Sequence, residues 1–236
     1  MKAKYKRILL KISGEALSGA AGHGFDPESL KSVAEQILEV AKLGVEVGIV
    51  VGGGNIWRGR QGMNMDRVTA DQMGMLATVI NALAVSETLI GAGADARVLT
   101  SIEISGVGEK FNHKVADRYL KEGKIVVFGG GTGNPFFSTD TAAALRSVEI
   151  NADALLKATN VDGIFDKDPN KYADAVKYDN VTFQEVITKD LKVMDSTAFS
   201  LCKDNDMPII VFNLNEPDNI LRVVNGEKIG TTVKNQ

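Results

Sequence analysis

Val47-Gly-Ile-Val-Val-Gly-Gly-Gly54 is a β-branched run that stops in three consecutive glycines. Its unbroken apolar character predicts a strand over 47–51 buried on both faces, as in a parallel sheet covered by helices. A long helical pattern over 67–90 follows. The same succession recurs on both sides. Upstream, 7–12 reads as a strand, and Asp26 and Pro27 supply an N-cap and an N1 proline. That helix carries Leu30, Val33, Ile37, Leu38 and Ala41 at helical spacing, runs to about Leu43 and stops at Gly44. Downstream come strands over 96–99, 125–128 and 154–158, alternating with helices over 114–121 and 141–150. In the last third Thr182 and Glu185 form a capping box for a short helix. A helix over 196–204, a strand over 208–212, a helix over 220–224 and an edge strand over 230–233 complete the chain. This alternation predicts an α/β fold, a three-layer αβα sandwich around a mostly parallel sheet. No linker-like segment or internal repeat divides it, so residues 1–236 read as a single domain with two functional halves meeting near residue 150.

The composition narrows the classes of function. With 27 Lys+Arg against 30 Asp+Glu the net charge is −3, which argues against a nucleic-acid partner held by counterion release. One cysteine, Cys202, excludes an intramolecular disulfide framework or a cysteine zinc cluster. Two histidines, His23 and His113, leave little for a histidine metal site. The basic start, 1–7, lacks the h-region of a signal peptide because Lys11, Gly14 and Glu15 interrupt the apolar stretch. The apolar segment 73–85 is too short to span a bilayer. A cytoplasmic location with no membrane partner is the expectation.

The anomaly is glycine, at 24 residues or roughly a tenth of the chain against a usual ~7%. Thirteen lie in three stretches: Gly14, Gly19, Gly22 and Gly24; Gly52, Gly53, Gly54, Gly59 and Gly62; Gly129, Gly130, Gly131 and Gly133. Each follows a predicted strand and precedes a helix. Without Cβ atoms such loops let backbone N–H groups close on an anion, and the helix N-terminus adds positive potential. Tight βα turns would account for one such loop. Three, each near Lys, Arg, Ser, Thr or Asn donors, favour a phosphate-binding edge. The Walker motif is absent, since Gly123-Lys124 is followed by Ile125, and so is the protein-kinase set.

Six segments resemble the signature loops of the bacterial uridylate (UMP) kinases, a branch of the amino acid kinase family. They are Lys11-Ile-Ser-Gly-Glu-Ala-Leu17, Gly52-Gly-Gly-Asn-Ile-Trp-Arg-Gly59, Asp71-Gln-Met-Gly-Met-Leu-Ala77, Gly131-Thr-Gly-Asn-Pro-Phe-Phe-Ser-Thr-Asp140, Lys157-Ala-Thr-Asn-Val-Asp-Gly163 and Lys192-Val-Met-Asp195. The likeness runs from about Lys6 to Thr232. It implies transfer of the ATP γ-phosphoryl group to UMP, with Mg²⁺ accompanying ATP and no dedicated protein metal ligands. It also implies a homohexamer, activation by GTP and inhibition by UTP.

The resemblance assigns roles residue by residue. Catalytic roles fall to Lys11, Arg58, Asp140 and Asp195. ATP contacts fall to Lys11, Ile12, Ser13, Gly14, Gly54, Arg58, Thr159, Asn160, Phe165 and Asp168. UMP contacts fall to Gly53, Asp71, Thr132, Gly133, Asn134, Pro135, Phe136, Phe137, Ser138 and Thr139. Gly19, Ala20, Ala21, Gly22, His23 and Gly24 match the segment tied to GTP; the residues alone read as a flexible loop. The first 150 residues thus form a UMP-binding half and the remainder a mainly ATP-binding half. Blander readings stand beside these. Lys11 is an ordinary strand-end lysine, Arg58 a surface arginine, Asp71 a helix-surface charge; Lys157 reads either as a strand lysine or as a reach to the γ-phosphate. Asp140 reads equally as an N-cap or as a partner for Lys11 or for the waters of Mg²⁺, and Asp195 as an N-cap. One of Phe136 and Phe137 is expected in the core. The face over 73–85 reads as core or as an oligomer contact. An acyl-phosphate-forming relative and a non-catalytic nucleotide sensor are the competing functions.

Overall fold

The computed structural model describes residues 3–58, 65–169 and 171–235; Gly59 and Gly62 of the second glycine stretch lie outside the described residues. The strands are β1 (Arg7–Ile12), β2 (Glu46–Val51), β3 (Ala96–Thr100), β4 (Glu109–Lys110), β5 (Ile125–Gly129), β6 (Ala154–Thr159), β7 (Asn180–Thr182), β8 (Ile209–Asn213) and β9 (Thr231–Lys234). The helices are α1 (Pro27–Lys42), α2 (Arg67–Gly91), α3 (His113–Lys121), α4 (Thr139–Glu149), α5 (Phe183–Thr188), α6 (Ser196–Asp204) and α7 (Asn219–Val224). The described strands form one sheet in the order β4-β3-β5-β2-β1-β6-β8-β9-β7. All pairs are parallel except β8 with β9. The αβα sandwich expected from the alternation is the fold observed.

Alternating strand side chains feed two cores. On one face Ile8, Leu10, Ile12, Ile49 and Val51 pack with Val33 and Ile37 of α1, Val85 and Leu89 of α2, and Ile220 of α7. On the other, Leu9, Val50, Phe128 and Leu155 pack with Leu120 of α3, Ala143 of α4, Phe183 of α5 and Phe199 of α6. The caps follow the expected chemistry. Asp26 caps α1 through Ser29 N, and the Thr182–Glu185 capping box is complete.

Two short strands escaped the sequence reading, β4 and β7, with two and three residues. The segment expected as an edge strand is interior, because β9 pairs with β8 on one side and β7 on the other. The 25-residue α2 matches the helix expected over 67–90 and is longer than its apolar stretch over 73–85. By length and composition it is able to cross a membrane, yet Met75, Ala82, Val85 and Leu89 are buried in the protein.

Parallel pairing decides where the glycine loops fall. β5, β2 and β1 are consecutive in the sheet and run the same way, so the loops leaving their carboxyl ends must lie side by side. β1 is also the seam: β2 to β5 lie on one side of it and β6 to β9 on the other. A crevice at such a switch point is where open α/β sheets bind ligands.

Candidate functional site

The site starts from two lysines. Lys11 on β1 and Lys157 on β6 are register partners across the parallel pair, so their side chains emerge together near the carboxyl edge. Between them stands Asp140 at the start of α4. Lys157 Nζ donates to Asp140 Oδ2 at 2.6 Å and to the Val193 carbonyl at 2.6 Å. Lys11 Nζ lies 2.9 Å from Oδ1, an ion pair poorly aligned for a hydrogen bond. All three side chains are mostly buried. Burial pushes the Asp140 carboxyl up, but Lys11 and Lys157 outweigh it and hold the group below its ordinary value. Burial pushes the Lys157 ammonium down, partly opposed by Asp140. This resolves one open reading. Asp140 is not the N-cap of α4, because Ser138 is, accepting from Thr141 N; Asp140 instead organises the lysines. Nothing in the local sequence around Lys157 signalled this; the pairing is a matter of strand register.

The three glycine loops meet beside this cluster. Ser13 caps a 3₁₀ turn at Gly14–Leu17. A Cβ on Gly14 would stand 2.7 Å from Gly52 O and 2.9 Å from Gly54 N. That close approach of two backbones explains the glycine before any ligand is considered. Arg58 lies across the same junction, exposed, with Nη2 2.7 Å from Glu15 Oε1 and Nε donating to Gly54 O at 3.1 Å. Ile12 turns its side chain into the core, and its carbonyl accepts from Gly52 N at 2.9 Å.

A cavity of about 280 Å³ opens next to these loops, lined by Gly53, Gly54, Asp71, Asn134, Phe137, Ser138 and Thr139 among others. It gathers most of the predicted UMP set. Thr132 and Gly133 instead shape the turn: Thr132 Oγ1 pairs with Asn134, and Gly133 abuts Ser101. Asp71 Oδ2 accepts from Phe136 N at 2.8 Å and lies 3.7 Å from Arg67 Nε. Asp71 therefore ties α2 to the loop and is more than a surface charge. Phe136 has φ 72°, left-handed for a non-glycine residue, and its ring lies under Arg67. Phe136 and Phe137 are 59% and 51% exposed, which corrects the expectation that one of them is core. Asp195 caps α6 through Ala198 N at 3.0 Å. The same carboxylate accepts from the hydroxyls of Ser138 and Thr141, so it anchors the cavity wall to α6.

The remaining predicted ATP residues are spread along the β6 side. Phe165 and Asp168 line a second cavity of about 440 Å³ with Gly163 and Lys192. Thr159 Oγ1 is engaged with Val161 and Phe212, Asn160 is exposed, and neither lines that cavity. The segment carrying Gly19, Ala20, Ala21, Gly22, His23 and Gly24 is not the loose loop expected. Gly19–Ala21 is a 3₁₀ turn, and Gly24 exchanges backbone and side-chain hydrogen bonds with Asn55. Cys202 is buried in α6, and burial pushes its thiol up to about 12.

Glycine loops at a switch point around a lysine–aspartate–lysine cluster form a cationic, donor-rich edge suited to phosphate groups on an αβα sandwich. The chain belongs to the amino acid kinase family, whose model matches residues 6–213. It is similar to the UMP kinase of Bacillus anthracis, at 40% identity over 98% of this chain and 97% of that one, with a TM-score of 0.96. The UMP kinase of Ureaplasma parvum matches at 37% identity over 97% and 98%, TM-score 0.92. The uridylate kinase of Archaeoglobus fulgidus matches at 27% over 96% and 99%, TM-score 0.72.

Proposed function

We propose that this chain phosphorylates UMP to UDP with ATP. The observation that carries the reading is the pair of lysines held by Asp140 where the three glycine loops converge, beside a cavity lined by the residues matching a UMP site. The kinship to UMP kinases supports it. Phosphoryl transfer needs in-line placement and neutralisation of crowded negative charge, with little covalent work by the protein. The acceptor oxygen belongs to a phosphate and is largely ionised near neutral pH, so no strong general base is required. Lys11 neutralises charge on the transferring group, Lys157 adds to the field, and Asp140 holds both ammonium groups in place. Arg58 offers a planar fork to the donor phosphates. UMP occupies the cavity beside Asp71, with Asp71 on the sugar hydroxyls; ATP lies toward β6 and the Phe165–Asp168 cavity. The first 150 residues in this reading serve mainly UMP and the rest mainly ATP.

Mg²⁺, when bound, neutralises the polyphosphate. Among the described residues no cluster of three or more His, Cys, Asp or Glu side chains is arranged to cage a metal. That donor set fits an ion carried by nucleotide phosphates and water, with Asp140 and Asp195 as the nearby carboxylates. Assembly into a homohexamer in the cytoplasm, activation by GTP through residues 19–24 and inhibition by UTP belong to the same reading. The exposed Leu76, Ile80, Leu83 and Ile90 on the outer face of α2 supply an apolar stripe that a second copy would cover.

An acceptor panel with ATP and Mg²⁺, followed by ADP release, tests the proposal. UMP-dependent release is expected. Release only with a carboxylate or carbamate acceptor would place the chain with acyl-phosphate-forming relatives, and tight nucleotide binding without release would make it a sensor.

A further inference from the structure

We propose that Asn81 of α2, through Asn55, is a positioning residue that sets the second glycine loop and ties residues 19–24 to it; the functional part rests on the phosphotransferase reading. Both carboxamides are almost wholly buried, Asn81 at 0% and Asn55 at 4% exposure. Asn81 Nδ2 donates to Gly52 O at 2.6 Å and to Asn55 Oδ1 at 2.7 Å. Asn55 Nδ2 donates to Asn81 Oδ1 at 3.2 Å and to Gly24 O at 2.8 Å. Each amide nitrogen thus serves two acceptors, the full donor capacity of an asparagine. The Asn55 carbonyl in turn accepts from Gly24 N at 2.9 Å.

Such a buried, satisfied network has one low-energy arrangement, because any slippage strands a polar group away from water. The backbone around it leaves equally little freedom. A Cβ on Gly53 would meet Ala77 Cβ at 2.9 Å and Gly74 O at 3.0 Å, so the loop sits directly on α2. The loop then presents Gly54 to the cavity and, through Gly54 O, seats Arg58. One turn before Asn81, Thr78 Oγ1 accepts from Gly130 N at 2.9 Å. The inner face of α2 therefore sets the spacing of the second and third glycine loops, and Asn81, through Asn55, extends that frame to Gly24 at the end of the 19–24 segment. None of the atoms of Asn81 lines the cavity. It acts by placing others, so its loss should lower kcat more than it raises KM, since displacement of about 1 Å costs on the order of a hundredfold.

The test pairs kinetics with amide hydrogen exchange in the full chain. Asn81→Leu, close in volume and unable to hydrogen-bond, is expected to lower kcat for UMP roughly tenfold to a hundredfold with a smaller change in KM. Exchange at Gly24, Gly52, Ile56 and Trp57 should rise together while that of β5 stays unchanged. A folded variant with kcat within about twofold of the parent (under ~0.4 kcal/mol) overturns the positioning role. Unchanged exchange at Gly24 overturns the tie, whatever the rate. If Asn81→Leu does not fold, urea-dependent exchange of the unaltered chain decides: Gly24 and the 52–57 amides opening as one unit supports the tie, and separate opening contradicts it. If the unaltered chain releases no ADP with UMP, the phosphotransferase reading fails, and the exchange arm still tests the tie.

Discussion

At the scale of single residues, the centre of the site is an excess of positive charge. Two buried ammonium groups share one carboxylate, so removing Asp140 leaves two like charges buried together, whereas removing either lysine leaves a matched pair without the excess cation. Lys11→Ala is expected to cut turnover by orders of magnitude while the circular dichroism spectrum and melting transition remain cooperative; near-normal turnover would remove Lys11 from the mechanism. Asp140 gives a pH prediction. Its folded pKa is held below the ordinary 3.8 by the two lysines against the opposing effect of burial. Between those values the unfolded chain binds more protons, so the stability Asp140 contributes is complete above the unfolded value and is lost as pH falls through the folded one. The stability gap between the parent and Asp140→Asn should be widest near pH 7 and narrow as pH falls below the ordinary 3.8 and through the lowered folded value, as read by urea titration. A pH-independent gap would contradict the assignment. Lys11 was legible because it stands in a motif with Ser13 and Gly14. The role of Lys157 was not, because it depends on a register between strands 146 residues apart along the chain. The left-handed backbone of Phe136 was equally silent, since nothing in an aromatic side chain asks for positive φ.

At the scale of elements, three glycine loops act as one surface because their strands are neighbours. Gly14 makes this testable. Gly14→Ala would drive its methyl into Gly52 and Gly54 backbone, and overpacking of this kind costs roughly 1–3 kcal/mol. The variant should melt several degrees lower and lose activity, with faster amide exchange at 52–57; full activity would show that the two loops do not need their close approach. The strand–glycine–helix pattern was legible in the sequence, as were the caps at Asp26 and Thr182, because each is a local signal. β4 and β7 were not, since two or three residues carry no period. Their absence from the reading turned the interior β9 into a supposed edge. The order of helices along the chain also gave no hint that the segment 19–24 would be clamped by Asn55, a contact set by how β1 and β2 pair.

At the scale of the whole molecule, α2 links the inside to the outside. Its inner side holds Asn81 and Thr78 against the loops, and its outer side shows Leu76, Ile80, Leu83 and Ile90 to solvent. If that stripe is the contact between copies, Ile80→Glu should shift the sedimentation coefficient toward smaller species while leaving the helix content unchanged. An unaltered assembly state would move the contact elsewhere. The fold itself was readable from alternation alone, and family kinship from the residues between the glycines; the residues proposed to hold ATP were less so, because Thr159 and Asn160 stand apart from the cavity holding Phe165 and Asp168. In the proposed reaction this edge of the sheet moves a phosphoryl group from ATP to UMP. Phosphorus NMR of the protein with ATP, UMP and Mg²⁺ reads that transfer at both nucleotides. Equal growth of ADP and UDP resonances at the expense of ATP and UMP is expected, abolished in Lys11→Ala. ATP and UMP that persist unchanged beside the folded protein, or ATP consumed while UMP remains intact, would contradict it.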